Sequence, residues 1–91
     1  MAEAKLPEGA TPSRATPTFT QQSVPPGLRA AHQTSVWAEL VVASGSVVFV
    51  DEESGDRSLV VAGKRQVIAP RQPHHVEPDS AAEFFVQFYA S

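Results

Sequence analysis

The apolar residues of this chain fall in short runs separated by turn-forming residues. Runs of four to eight residues rich in valine and phenylalanine are typical of half-buried or buried strands. Gly45, Gly55 and Gly63 lie between such runs, at positions suited to tight turns. The pattern predicts about seven short strands, over residues 28–34, 36–43, 46–50, 57–61, 66–69, 74–78 and 83–90.

These strands recur about every 8–12 residues, and no apolar stripe of helical period separates them. The chain is therefore predicted to be all-β, as a sandwich or small barrel, with a hairpin turn around Gly45. Residues 1–15 are rich in proline and poor in large apolar side chains, which predicts a flexible N-terminal arm. Residues 16–91 form the predicted domain, and Pro25-Pro26-Gly27 is expected to break any regular element.

Composition excludes several classes of protein. The chain has 91 residues and no cysteine, so it has neither a disulfide framework nor a thiolate metal site. Its seven basic residues are scattered and the net charge is −3, which argues against nucleic-acid binding. No apolar run approaches the roughly 18 residues of a membrane span, and the N-terminus lacks the apolar stretch of a signal peptide. A cytoplasmic protein with no membrane partner is expected.

The three histidines carry most of the candidate chemistry. Imidazole nitrogens and carboxylate oxygens ligate Zn, Ni, Fe or Mn, which makes His32, His74, His75 and Glu77 candidate ligands. Neighbouring residues of a strand point to opposite faces, so His74 and His75 cannot both point inward. Pro73 restricts the approach to His74, which makes His74 the better candidate. Ordinary surface histidines are the alternative interpretation.

The last predicted strand has two unlike faces. Phe84, Val86 and Phe88 form an apolar face, which predicts core or a subunit interface. The opposite face places the Gln87 amide between Phe85 and Tyr89, as in a ligand pocket or on an exposed surface.

Several segments together resemble a known family. They are TPTF at 16–19, VPPGL at 24–28, PHHVEP at 73–78 and FFVQFY at 84–89, with the tryptophan of VWAEL. In this order they resemble the small cupin-like domain of the TehB/YeaR-like, tellurite-resistance-associated family, over residues 16–89. The resemblance implies a single cupin-like double-stranded β-helix, a jelly-roll barrel. It also implies an association with tellurite, nitrate or related oxidative stress, and a barrel mouth bearing His32, His74 and Glu77.

The chain departs from the family and from general cupins at informative positions. Gln87 stands where the family usually has an acidic residue, and Thr34 stands where a cupin motif has a second histidine. Glu39 is one residue away from the expected glutamate and should face the opposite side of its strand. A site of three histidines and one glutamate therefore cannot be built from the standard positions.

These residues lead to two functional hypotheses. In the first, His32, His74 and Gln87 hold one divalent metal ion, with His75, Glu77, Phe85 and Tyr89 as further pocket residues. In the second, the domain binds a small molecule or oxyanion without metal, or is a structural interaction module. Analogy of fold points to a homodimer. No catalytic residue or reaction is indicated.

Overall fold

The structure is a computed structural model that describes residues 5–90. Six of the predicted strands are confirmed to within a few residues. The regular elements are β1 (Thr11–Ala15), α1 (Pro26–Arg29), β2 (Ala38–Ser44), β3 (Ser46–Asp51), β4 (Arg57–Val61), β5 (Arg65–Ile68), β6 (His74–Pro78) and β7 (Glu83–Ala90). The chain is all-β apart from one helical turn, and no helix within residues 5–90 is long and apolar enough to span a membrane.

The strands form two antiparallel sheets. The four-stranded sheet has the order β1-β7-β2-β5, and the three-stranded sheet has the order β4-β3-β6. The β3–β4 pair is the predicted hairpin, and Gly55 in its loop has a φ of 78°. Each sheet keeps its own hydrogen bonding, and residues 5–90 form no closed barrel.

The hairpin predicted at Gly45 is wrong, because β2 and β3 belong to different sheets. Gly45 has a φ of 63°, and its backbone passes close to the backbone of Ala81 and Ala82. The glycine therefore provides a tight bend that takes the chain from one sheet to the other. Such a bend and a hairpin turn have the same sequence signal.

The core lies between the inner faces of the two sheets. Leu40 and Phe84 from the four-stranded sheet are fully buried, as are Val47 and, almost completely, Phe49 from the three-stranded sheet. Each of these residues alternates with an outward-facing neighbour, as strand geometry requires. The face of Phe84 and Val86 is confirmed as core, with Phe88 packed against it.

Strand β1 corrects part of the predicted arm. Residues 11–15 pair with β7 although all five are exposed. Backbone hydrogen bonds specify this strand, and its side chains carry no alternation that the sequence could reveal. Residues 1–4 of the predicted arm lie outside the described residues.

The predicted strand at 28–34 is wrong. Pro26 begins a single helical turn instead of breaking one, because its ring restricts φ to a helical value and the first helical N–H needs no partner. Residues 17–36, here called the strap, cross between the sheets. Phe19 bridges to Phe84 in the four-stranded sheet, and His32 bridges to His74 in the three-stranded sheet.

Candidate functional site

The strap brings His32 against His74. The His32 N–H donates to the His74 carbonyl at 2.9 Å, and the His74 N–H donates to the His32 carbonyl at 2.8 Å. The two imidazole centroids are 4.3 Å apart, with the rings inclined at 62°. The sequence analysis selected both residues as candidate ligands, and the structure places their rings side by side.

His74 is held in a fixed orientation. It is 2% exposed, and its ring stacks on Phe49 with the centroids 5.0 Å apart. Nδ1 lies 2.7 Å from the Gln72 carbonyl oxygen. A carbonyl oxygen only accepts, so Nδ1 carries the proton and Nε2 keeps its lone pair in the neutral ring. Burial lowers the pKa of His74 and outweighs the Gln72 hydrogen bond, which raises the pKa. The net lowering favours the neutral ring.

His32 has an unsatisfied ring nitrogen. Its Nδ1 atom is buried and has no hydrogen-bond partner within residues 5–90. Burial lowers the pKa of His32, so this ring is also neutral near pH 7. A buried polar atom without a partner is uncommon in native proteins and indicates a missing ligand, water or ion.

Both rings face a small cavity between the sheets. It has a volume of about 50 Å³, and most of its wall is apolar, including Leu28, Leu40, Ile68, Val76, Phe84 and Val86. This cavity, here called the histidine pocket, has room for a group of a few heavy atoms. Within residues 5–90, no three His, Cys, Asp or Glu side chains are grouped so that they could hold one metal ion.

Gln87 is not in the histidine pocket. It lies on the outer face of β7, opposite the inward-facing Val86, and its amide donates to the carbonyls of Arg14 and Phe88. Its prediction as a third ligand is therefore corrected by strand alternation. Phe85 shares the outer face and is not brought to the histidines either.

Tyr89 also lies away from the histidines. Its hydroxyl donates to the buried carboxylate of Glu39, which also accepts from Arg65 at 3.0 Å. Glu39 faces away from the core, as predicted from its offset. Sequence reasoning missed this hydrogen-bond group of Glu39, Arg65 and Tyr89, because its members come from three different strands.

His75 and Glu77 lie on the outer face of the three-stranded sheet. His75 Nε2 lies 2.8 Å from Glu77, and Nδ1 contacts Glu52. Glu77 also pairs with Arg57. The hydrogen bonds to Glu77 and Glu52 raise the pKa of His75, in contrast to its buried neighbour. The outward direction of His75 and the shared face with Glu77 were predicted, and the further pocket roles of both residues are corrected.

Comparison with known proteins identifies a related family. A family model described as the TehB-like domain matches residues 14–86. A crystal structure of a protein from Escherichia coli strain K12 has a TM-score of 0.88 at 22% identity, covering 97% of this chain and 88% of that chain. TehB from Haemophilus influenzae has a TM-score of 0.81 at 22% identity, covering 92% of this chain.

The chain spans about a third of the length of that Haemophilus protein, of which 32% is covered. No curated protein matches. At this identity the two structural likenesses show the fold alone. The family model covers most of the chain, including both histidines of the pocket, and on that basis the chain belongs to the TehB-like domain family.

Proposed function

We propose that this TehB-like domain binds a divalent transition-metal ion between His32 and His74. The observation that carries the proposal is the buried Nδ1 of His32, which has no partner within residues 5–90 and belongs to a ring in contact with His74. Neutral imidazoles are the commonest metal ligands, and burial keeps both rings neutral.

The setting of His74 supports this proposal. A ligating histidine almost always donates its other ring N–H to a carboxylate, a carbonyl or water, and this orients the ring and fixes its tautomer. The Nδ1–H of His74 donates to the Gln72 carbonyl in this way, and the lone pair of Nε2 remains free for an ion. Phe49 supports the ring from one side.

Two protein ligands are fewer than the three of a catalytic zinc site. The remaining coordination positions would be taken by water or by an added ligand, so moderate affinity is expected. Imidazole donors suit Zn²⁺, Ni²⁺ and Fe²⁺ better than Mn²⁺, which prefers oxygen ligands.

The matched control for a metal titration is His75. The tag-free, metal-free protein is titrated with Zn²⁺ and Ni²⁺ by calorimetry, with elemental analysis after dialysis. One ion per chain is expected, with binding lost in His32→Ala and in His74→Ala and retained in His75→Ala. Absence of stoichiometric binding, or equal loss in His75→Ala, would contradict the proposal.

A second candidate is a small-molecule pocket without metal. The apolar wall of the histidine pocket favours it, because an apolar group gains free energy by leaving water there. The two ring nitrogens would then accept hydrogen bonds from the ligand. Failure of the metal titration together with binding of an uncharged hydrogen-bond donor would select this function.

For the architecture, we infer the double-stranded β-helix of cupin-like domains. Two antiparallel sheets that enclose one core support this inference. The chain also passes repeatedly from one sheet to the other, as it does in such domains. An experimental structure tests it, and the inference requires that the strands of the two sheets wind around one common pocket. A flat sandwich would contradict it.

For the cellular role, we propose a cytoplasmic function in resistance to tellurite or related oxidative stress. Family membership supports this role. Deletion of the gene should lower the tellurite concentration that the host tolerates, and wild-type protein should restore it. If His74→Ala restores tellurite tolerance as completely as the wild-type protein, the cellular role does not depend on the histidine pocket.

A further inference from the structure

A second, larger cavity adjoins the histidine pocket. It is an open groove of about 470 Å³ between β1, the end of β7 and the strap. Thr34 and Phe88 line both cavities, so these two side chains form the boundary between them. Small-molecule sites occupy roughly 300–1,000 Å³, a size that the groove reaches and the histidine pocket alone does not.

The groove carries positive charge. Arg14 is the only charged side chain among its lining residues, and it makes no ion pair within residues 5–90. The guanidinium lies over the Phe88 ring, 4.8 Å from the ring centroid, which holds the charge next to the boundary. Ser13, Gln33 and Ser35 add polar groups to the wall. This lining suits a carboxylate.

The two cavities therefore favour different ends of one ligand. A carboxylate would be poorly stabilised in the histidine pocket, because most of the wall is apolar. A group that donates a hydrogen bond suits that pocket, since His74 Nε2 has a free lone pair. The carboxylate end of the ligand would thus stay in the groove, and its hydrogen-bond donor would enter the histidine pocket.

We infer that the groove and the histidine pocket form one continuous site for a small aliphatic hydroxycarboxylate. Its carboxylate pairs with Arg14, its apolar body passes between Thr34 and Phe88, and its hydroxyl reaches His32 and His74. The inference deepens the proposed function, because the hydroxyl oxygen would also complete the coordination of a bound ion. In the metal-free protein the hydroxyl donates directly to an imidazole.

The length of the ligand tests this geometry without any substitution. Glycolate, 4-hydroxybutyrate and 6-hydroxyhexanoate are titrated into metal-free protein and followed by NMR of backbone amides, the Arg14 Nε–H and the histidine rings. Glycolate should perturb groove residues alone. At least one longer acid should also perturb the rings of His32 and His74, and each buried methylene should tighten binding by up to about fourfold.

Two variants test the ends of the site. Arg14→Gln should weaken the longer acids about three- to fivefold, the scale of an exposed ion pair, and added salt should have the same effect. Arg57→Gln is the matched control, because Arg57 lies on the outer face of the other sheet with Glu77. Thr34→Phe should abolish the ring perturbation and leave the groove signals.

The outcomes separate this inference from the metal proposal. The inference is overturned if no acid of the series perturbs the histidine rings, or if Arg14→Gln and Arg57→Gln bind the acids with equal affinity. Either result counts even if Zn²⁺ binds. Acids that bind as described to a protein that takes up no metal support the inference and remove the metal proposal. Wild-type length dependence remains decisive if Thr34→Phe fails to fold.

Discussion

The backbones of His32 and His74 exchange two hydrogen bonds, and their imidazoles lie 4.3 Å apart beside the same pocket. His32 belongs to the strap and His74 to β6, so one contact both anchors the strap and assembles the candidate site. Ligand binding and docking of the strap should therefore be thermodynamically linked.

The bend at Gly45 should be among the least tolerant positions. An ideal Cβ at this residue would lie 2.5 Å from the Ala81 carbonyl carbon, whereas one at Gly63 would meet nothing within 4 Å. Both glycines have positive φ, so alanine should cost about 1–2 kcal/mol at either site. We expect Gly45→Ala to lower Tm at least twice as far as Gly63→Ala. Equal shifts would show that the close approach at Ala81 carries no cost.

Thr16 should stabilise the edge of the four-stranded sheet through its hydroxyl. The Val86 N–H donates to Thr16 Oγ1 at 3.0 Å, next to the buried Val86 side chain. Thr16→Val removes the acceptor and should cost about 1–3 kcal/mol of unfolding free energy. Thr16→Ser keeps the hydroxyl and should remain near wild type. Denaturant unfolding measures both, and similar losses would assign the effect to packing.

His75 should make stability depend on pH. Its pKa is raised in the folded state by Glu77 and Glu52, so the protein gains stability below the unfolded histidine pKa of about 6.5 and loses that gain as pH rises through the raised value. The Tm difference between wild type and His75→Gln should be larger near about pH 6 than near about pH 9. A Tm difference that increases towards alkaline pH would contradict a raised pKa for His75 in the folded protein.

Much of the fold was predictable because strand alternation is local. In β3, β6 and β7, buried inner residues alternate with more accessible ones over most of the strand, and glycine marks several of the turns between strands. The strand β1 and the partner sheet of β3 were not predictable. The first depends on backbone pairing of exposed residues with the distant β7, and the second depends on the long-range pairing of β3 with β6.

The candidate site was predictable in part. Strand alternation correctly separated His74 from His75, and the resemblance to the family selected His32. The same alternation places Gln87 on the outer face, opposite Val86 on the pocket side, so its prediction as a ligand conflicted with a rule that the sequence already contained. The Gln72 carbonyl and the boundary of Thr34 and Phe88 depend on tertiary packing and leave no signal in the sequence.

The most direct test of the central claim is the response of the histidine ring nitrogens to Zn²⁺. Long-range ¹H–¹⁵N spectra of the metal-free protein should show His74 as a neutral ring protonated at Nδ1. One equivalent of Zn²⁺ should then shift His74 Nε2 and His32 Nδ1 together and saturate, with both His75 nitrogens unchanged. Shifts confined to His75, or changes at His32 and His74 with different saturation points, would contradict a shared ion.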